Sequence, residues 1–167
     1  MQRLEQLDVG DRTSLKRNIG KPITKANGAA LAAFYKALPK DVGTWAENRY
    51  FTVACLTCLW KMDDVPKSMT PFEICLKKIR SNGYESFDIR VRAIIDSEWD
   101  DEDGYTAGKL ARATKQMRQR NLVPDFAVLL EDLLFWNQNN RTVQRKWAKS
   151  YFGIDFDNDH KNTIMEV

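Results

Sequence analysis

Histidine is nearly absent from this chain. A single one, His160, occurs in 167 residues, and it falls in the last stretch. That shortage excludes a good deal. A Ser/His/Asp or Cys/His catalytic set needs a histidine beside its nucleophile. Four-coordinate zinc is short of ligands as well, because the CxxC at Cys55 and Cys58 has no second CxxC to complete it. The pair lies inside an apolar run, where cysteine behaves as a small buried hydrophobe, and Cys75 reads the same way. Three cysteines, an odd number, do not make a disulfide framework. No glycine-rich phosphate loop is present. Met1–Gly10 is polar, without the apolar core of a secretory signal. The longest apolar run, Tyr50–Trp60, falls far short of the roughly 18 residues a membrane span needs. The expectation is a cytoplasmic protein with no metal, no cofactor, no membrane and no small-molecule substrate, and the case for catalysis is thin.

Strand signals are also nearly missing, whereas helix punctuation is plentiful. A short helix is expected over Leu15–Ile19, after a Gly10-Asp11 start. Asn27 can cap Ala29–Leu38, which Pro39 ends. Thr44 and Glu47 read as a capping box opening Trp45–Lys61, and Thr70 and Glu73 as another, with Pro71 at the first helical position. That helix, Pro71–Arg80, should stop at Asn82-Gly83. Phe87–Asp96 is expected to turn Ile89, Ala93 and Ile94 inward. An acidic loop, Ser97–Gly104, then leads to Thr106–Arg120, Asp125–Asn137 and Arg141–Phe152. Two segments are apolar nearly all round, Tyr50–Trp60 and Phe126–Trp136, and a helix without a polar face belongs in the middle of something. Each is expected to centre its own bundle. The chain thus reads as all-α: an N-terminal bundle over 1–85, a C-terminal bundle over 86–154, and an acidic, flexible tail over 155–167.

Charge is sorted into blocks. Between Arg12 and Lys40 every charge is positive, as it is from Lys109 to Arg120 and from Leu133 to Ile154. Acids pool in Asp96–Asp103 and after Asp155. Ordinary solvated helices mix signs, since Glu/Lys pairs at i,i+4 stabilise them and like charges do the reverse. Basic blocks held apart from acids point to a polyanionic partner. Along Lys109–Arg120, Leu110, Ala113 and Met117 mark a buried stripe. Lys109, Arg112 and Lys115 flank it, and Arg118 and Arg120 carry the charge around the outer face. In the last helix Val143, Trp147 and Tyr151 form one stripe. Arg141, Arg145 and Lys149 form another about half a turn away, with rungs about 6 Å apart. Such a ladder suits backbone phosphates, contacts that are blind to base sequence. The acidic cluster Asp96–Asp103 has no EF-hand spacing and reads as a solvated loop, not as a nuclease metal site.

Laid out in this order, the residues resemble the small subunit of the type I-E CRISPR Cascade complex, the CasB family. LDVGDRTSLKRNIG (Leu7–Gly20) is similar to the family's opening element and AAFYKALP (Ala32–Pro39) to its A-F-Y stretch. WAENRYFTVACL (Trp45–Leu56) has its W-x-x-x-R followed by an apolar helix. LLEDLLFWNQNNRTVQRKWAKSYF (Leu129–Phe152) resembles its closing segment. The resemblance implies an all-α subunit without enzymatic activity. Its partners would be the crRNA-bearing backbone, the large subunit, a second copy of itself, and the target and displaced DNA strands, whose R-loop it would stabilise. By position it implies nucleic-acid contacts at Lys16, Arg17, Arg49, Arg112, Arg141 and Arg145. Lys16 stands where the family has arginine, keeping charge but losing the bidentate fork. The long acidic loop leaves the register open among Lys109, Arg112 and Lys115, and Lys149 extends the last stripe. For Arg49 the competing reading is a salt bridge to Glu47 or Asp41 that caps the bundle. Two other functions compete with this one: a helix-turn-helix regulator reading base sequence, and a helical scaffold that contacts only protein.

Overall fold

The computed structural model describes residues 2–61, 69–80 and 85–153. The acidic tail, His160 and the Asn82-Gly83 stop lie outside the described residues. Among the described residues the chain is helical without a strand. Its elements are α1 (Gln2–Glu5), α2 (Val9–Lys16), a 3-10 turn (Ile23–Lys25), α3 (Gly28–Ala37), α4 (Thr44–Thr57), α5 (Phe72–Ile79), α6 (Glu85–Ile95), α7 (Tyr105–Gln119), α8 (Phe126–Leu134) and α9 (Thr142–Phe152).

Short polar side chains start several of these helices. Asp8 accepts from the Asp11 amide at 2.7 Å, which starts α2 well before Leu15. Asn27 accepts from Ala30 N at 2.9 Å as expected, and Asp125 accepts from both Ala127 N and Val128 N. The two capping boxes do not form. The cap residue of α4 is Gly43, without a side-chain bond, and Glu47 instead accepts from the Tyr35 hydroxyl. Thr70 uses its backbone to pair with the segment before α8, accepting from Asp125 N and donating to Val123 O. Glu73 is drawn inside, 5% exposed. The box pattern identified the starts but not the bonds, because tertiary partners outcompeted the local ones.

α4 is the axis of the molecule. Its residues from Phe51 to Thr57 are buried on every side. Phe51, Ala54, Cys55 and Cys58 close a small N-terminal cluster with Leu15, Ala30, Ala33 and Phe34. Val53 and Leu56 look the other way, into a larger cluster built by α5 to α9. The two clusters therefore share α4, and α5 buries Phe72, Cys75, Leu76 and Ile79 in the larger one. A boundary at residue 85 would cut α5 from the cluster it packs in. α8 is also one-sided: Leu129 and Leu133 are fully buried, while Phe135 just beyond its end is 49% exposed. It does not centre a second bundle; it lies against α4, α5 and their surroundings.

Aromatic rings fill the larger cluster. Trp147 stacks on Phe72 with centroids 5.3 Å apart and meets Trp136 edge-on at 5.1 Å. Their polar edges are satisfied: Trp147 donates to Asp132 and Trp136 to Ser97 O. The three cysteines are buried and free, and burial pushes the thiols of Cys58 and Cys75 up to about 11. They pack as core residues. No group of three or more His, Cys, Asp or Glu side chains among the described residues is placed to hold a metal ion.

Arg49 departs most from its expected place. Only 8% exposed, it donates from Nε to Leu133 O at 3.0 Å and from Nη1 to Trp45 O at 2.8 Å. Its guanidinium lies between the rings of Trp45 and Trp99, 3.5 Å from Asp101. Neither Glu47 nor Asp41 is its partner. Arg49→Ala should destabilise the protein by roughly 2–4 kcal/mol, because two carbonyls lose a charged donor. Arg49→Lys should not restore the loss, since an ammonium cannot span both carbonyls in plane; equilibrium denaturation measures both. A second expectation concerns Glu73, whose carboxyl burial holds above the ordinary glutamate range, opposed by Lys146. An acid whose folded value is raised binds its proton more tightly when folded. Stability is therefore greatest below the unfolded value and falls as pH rises from there to the folded one. Glu73→Gln should flatten that fall without lowering the melting temperature at neutral pH.

Candidate nucleic-acid interface

The basic residues divide by what the helices already ask of them. In α7, Leu110, Ala113 and Met117 are buried as expected, and the charges around them have two fates. Arg118 donates from Nε to Leu59 O at 3.1 Å and Arg120 from Nη1 to Ile79 O at 2.8 Å. These two do not extend a free charged face; they tie the helix to its neighbours. Lys109 lies over the Tyr105 ring at 4.3 Å. Arg112 and Lys115 are exposed and make no hydrogen bond or ion pair with another described residue.

Lys16 and Arg17, the last residue of α2 and its C-cap, are exposed and likewise unpaired among the described residues. The chain just after them packs on α7. Gly20 adopts a left-handed φ of 81°, and a Cβ there would meet Ala111 Cβ at 3.0 Å and Gly108 Cα at 3.4 Å. Pro22 crosses Gly104 still more tightly, 2.6 Å from the site of its missing Cβ. The chain that leaves Arg17 thus runs across the first half of α7, within a turn of Arg112 and Lys115.

A second basic surface is the outer face of α9. Val143, Trp147 and Tyr151 are buried beneath it, and Arg145 and Lys149 point away, exposed and without a described partner. Lys146, between them in sequence, is turned inward to Asp132 at 2.7 Å and lies 3.9 Å from Glu73. Arg141 differs from the other rungs. It is the N-cap of α9 with a left-handed φ of 52°, and it donates to Ile95 O at 2.8 Å, 3.6 Å from Asp96. Its charge is half committed. α5 and α6 each touch both α7 and α9, so they lie between the two basic surfaces.

The acidic loop acts within the fold. Asp101 accepts from Trp99 Nε1 at 2.7 Å and from Asn48 at 3.2 Å. Asp100 accepts from the amides of Glu102 and Asp103, which hold its carboxyl below the usual aspartate range. Arg90 on α6 is a basic residue that the sequence did not single out. Its neighbour Ile89 is 63% exposed, while Phe87, Val91, Ile95 and, as expected, Ile94 are buried, so the helix is rotated away from Ile89. Charge complementarity could have found it. Asp88 sits on the α9 side, bonded to Tyr151 and Arg80, which places Arg90 on the α7 side.

Comparison with known proteins bears on all of this. Residues 11–152 match the family model described as CRISPR-associated protein Cse2. A 43-residue stretch is 42% identical to the CRISPR-associated protein Cse2 of Thermus thermophilus, covering 26% of this chain and about a quarter (25%) of that curated relative's length. The crystal structure of CasB from Thermus thermophilus is similar with a TM-score of 0.70 at 26% identity, covering 92% of this chain and 93% of that one. A chain of a CRISPR RNA-guided surveillance complex has the same fold, with a TM-score of 0.69 at 20% identity over 90% of this chain and 88% of that one.

Free and committed cations should separate in a stability scan. Arg145→Ala, Lys149→Ala and Arg112→Ala should each shift the unfolding free energy by no more than about 0.5 kcal/mol. Arg118→Ala and Arg120→Ala should each cost roughly 1.5 kcal/mol, the low end of the worth of a charged bond to a carbonyl. Thermal melts of the five variants check this.

Proposed function

The chain belongs to the CRISPR-associated Cse2 family, and from that premise we propose that it is a non-catalytic subunit of a type I-E crRNA-guided antiviral surveillance complex, holding the target and displaced DNA strands so that the R-loop persists. Its protein partners in this reading are the crRNA-bearing backbone, the large subunit and a second copy of itself, assembled in the cytoplasm. The observation that carries the reading is the pair Arg145 and Lys149. They are exposed, unpaired among the described residues, set one helical turn apart and backed by a rigid buried stripe. Lys16, Arg17, Arg112 and Lys115 supply a second surface of the same character, with Lys109 at its edge. Arg49 and Arg141 contribute less: the first is spent on the fold, the second is half spent.

Geometry favours phosphate contacts over base reading. The free cations run along α7 and α9 instead of gathering at a helix start, where a helix-turn-helix protein places its base contacts. α8, which follows α7 across a short turn, has no basic residue at all. A scaffold that touches only protein would have little use for cations left unneutralised at that repeat. R-loop formation exchanges one duplex for another at nearly equal stability, so a few backbone contacts suffice to tip it.

Removing one phosphate-binding cation should reduce the salt slope of single-stranded DNA binding by roughly 0.7. Arg145→Ala/Lys149→Ala should therefore weaken binding at low salt, lower the slope by about 1.4 and leave the melting temperature unchanged. In the assembled complex the double variant should shorten R-loop lifetime while guide-RNA assembly proceeds. Binding with an unaltered slope would remove α9 from the interface. Sequence-dependent binding would favour the regulator.

A further inference from the structure

Between α6 and α7 runs a groove whose rim shares Lys109 and Arg112 with the phosphate reading but whose apolar floor that reading leaves unused. One part is a cavity of about 360 Å³ floored by Leu76, Phe87, Val91, Ile94 and Ala113, with Arg90, Lys109 and Arg112 at its rim. A second hollow of about 280 Å³ continues it past Phe87, Arg90 and Gln116 toward Gln119 and Arg120. Among the described residues, no acid lines either part. The acids of α6 are elsewhere: Asp88 is bonded on the α9 side and Glu85 is exposed. Lys109, Arg112 and Gln116 line this groove from α7, and Tyr105 lies on the same helical stripe one turn before Lys109, beyond the groove's end. Tyr105 is 57% exposed.

We propose that this groove holds a nucleotide of single-stranded DNA: its base enters the apolar floor, its flanking phosphates meet Arg90, Lys109 and Arg112, and a neighbouring base stacks on Tyr105. A groove for a bare phosphate needs no apolar floor, and one for an aliphatic side chain needs no cationic rim. Both together fit a ligand that is a flat, weakly polar ring carrying anions on either side. The floor has room for a base, and Gln116 can donate to or accept from any base edge, so the site is tolerant of sequence. This rests on the proposed strand-holding function and adds to it that one surface binds bases as well as phosphates.

The test compares an oligothymidylate with an abasic strand of equal length and equal phosphate number, titrated against the full chain at low salt and followed by anisotropy. The oligothymidylate should bind roughly tenfold more tightly, the worth of about one stacked base. Tyr105→Ala, on an exposed position, should narrow that gap several-fold with the melting temperature unchanged. Ala113→Leu, which fills the floor, should narrow it as well. Equal affinity of the wild-type protein for both strands, with steep salt dependence retained, overturns the base site and leaves the phosphate reading standing. Failure to bind either strand sinks both. A gap that survives both folded variants places the base elsewhere and overturns the assignment. So does a result in which the variants bind DNA normally but fail to enter the assembled complex, which would make the groove a docking surface for protein.

Discussion

Arg49 is the joint on which the arrangement depends. One guanidinium reaches from α4 to the last turn of α8 through Leu133 O, back to its own helix through Trp45 O, and out to Asp101 in the acidic loop. Burial works against its charge, and Asp101 works for it. Planarity decides the residue type: two carbonyls and a carboxylate in different directions need a fork, and two indoles on either side need a flat cation. Because the loop is tied down at Asp101, Trp99 can exchange a pair of bonds with Asn137, its backbone N donating to Oδ1 and its carbonyl accepting from Nδ2. That pairing sets where the chain re-emerges to start α9. The position of a basic surface is thus inherited from a buried arginine on another helix.

Identical side chains take opposite roles in this molecule, and the deciding variable is what lies within reach at the end of each helix. α7 illustrates it. Arg112 and Lys115 in mid-helix have no orphan carbonyls to serve, because helical backbone satisfies its own. Arg118 and Arg120 near the C-terminus find Leu59 O just past the end of α4 and Ile79 O at the end of α5. Helix ends leave unsatisfied carbonyls, and long basic side chains nearby are recruited to them. Within α7, then, the free cations sit mid-helix and the committed ones at its C-terminal end. Lys146 follows the same logic from another direction: buried Asp132 and Glu73 demand a counter-charge, so that lysine turns inward while Arg145 and Lys149 on either side remain free.

Much of this was legible in the sequence. The helical class, the Asn27 cap and the apolar stripes of α7 and α9 follow from local pattern and spacing, which act over one or two turns. The family resemblance was legible in short motifs in the right order. What escaped depended on distant partners. Arg49 was legible as a conspicuous arginine beside a tryptophan, yet its partner Asp101 is 52 residues away. Ile94 was read correctly as buried, but Ile89 was misplaced because it is more apolar than its neighbours, although Phe87 and Val91 share the face of Ile94 better. The basic block in α7 was visible, but which of its members were free required knowing where α4 and α5 end.

In the proposed function, free cations on rigid helices would shape the energetics of strand holding. A cation already bonded to a carbonyl must give up that bond before it can meet a phosphate, and the exchange returns little net free energy. Arg145, Lys149, Arg112 and Lys115 give up only water, and their helices are fixed by buried stripes, so little backbone ordering is required on binding. Their contribution to the proposed binding would therefore be close to the full value of counterion release. Since the exchange of duplexes in an R-loop is nearly balanced, a modest contribution per residue can decide the outcome. On the proposed reading it would do so without regard to base sequence, leaving specificity to the guide. A groove that accepts any base would conform to the same requirement, adding affinity for an unpaired strand while discriminating it from a duplex, whose bases are already stacked and paired.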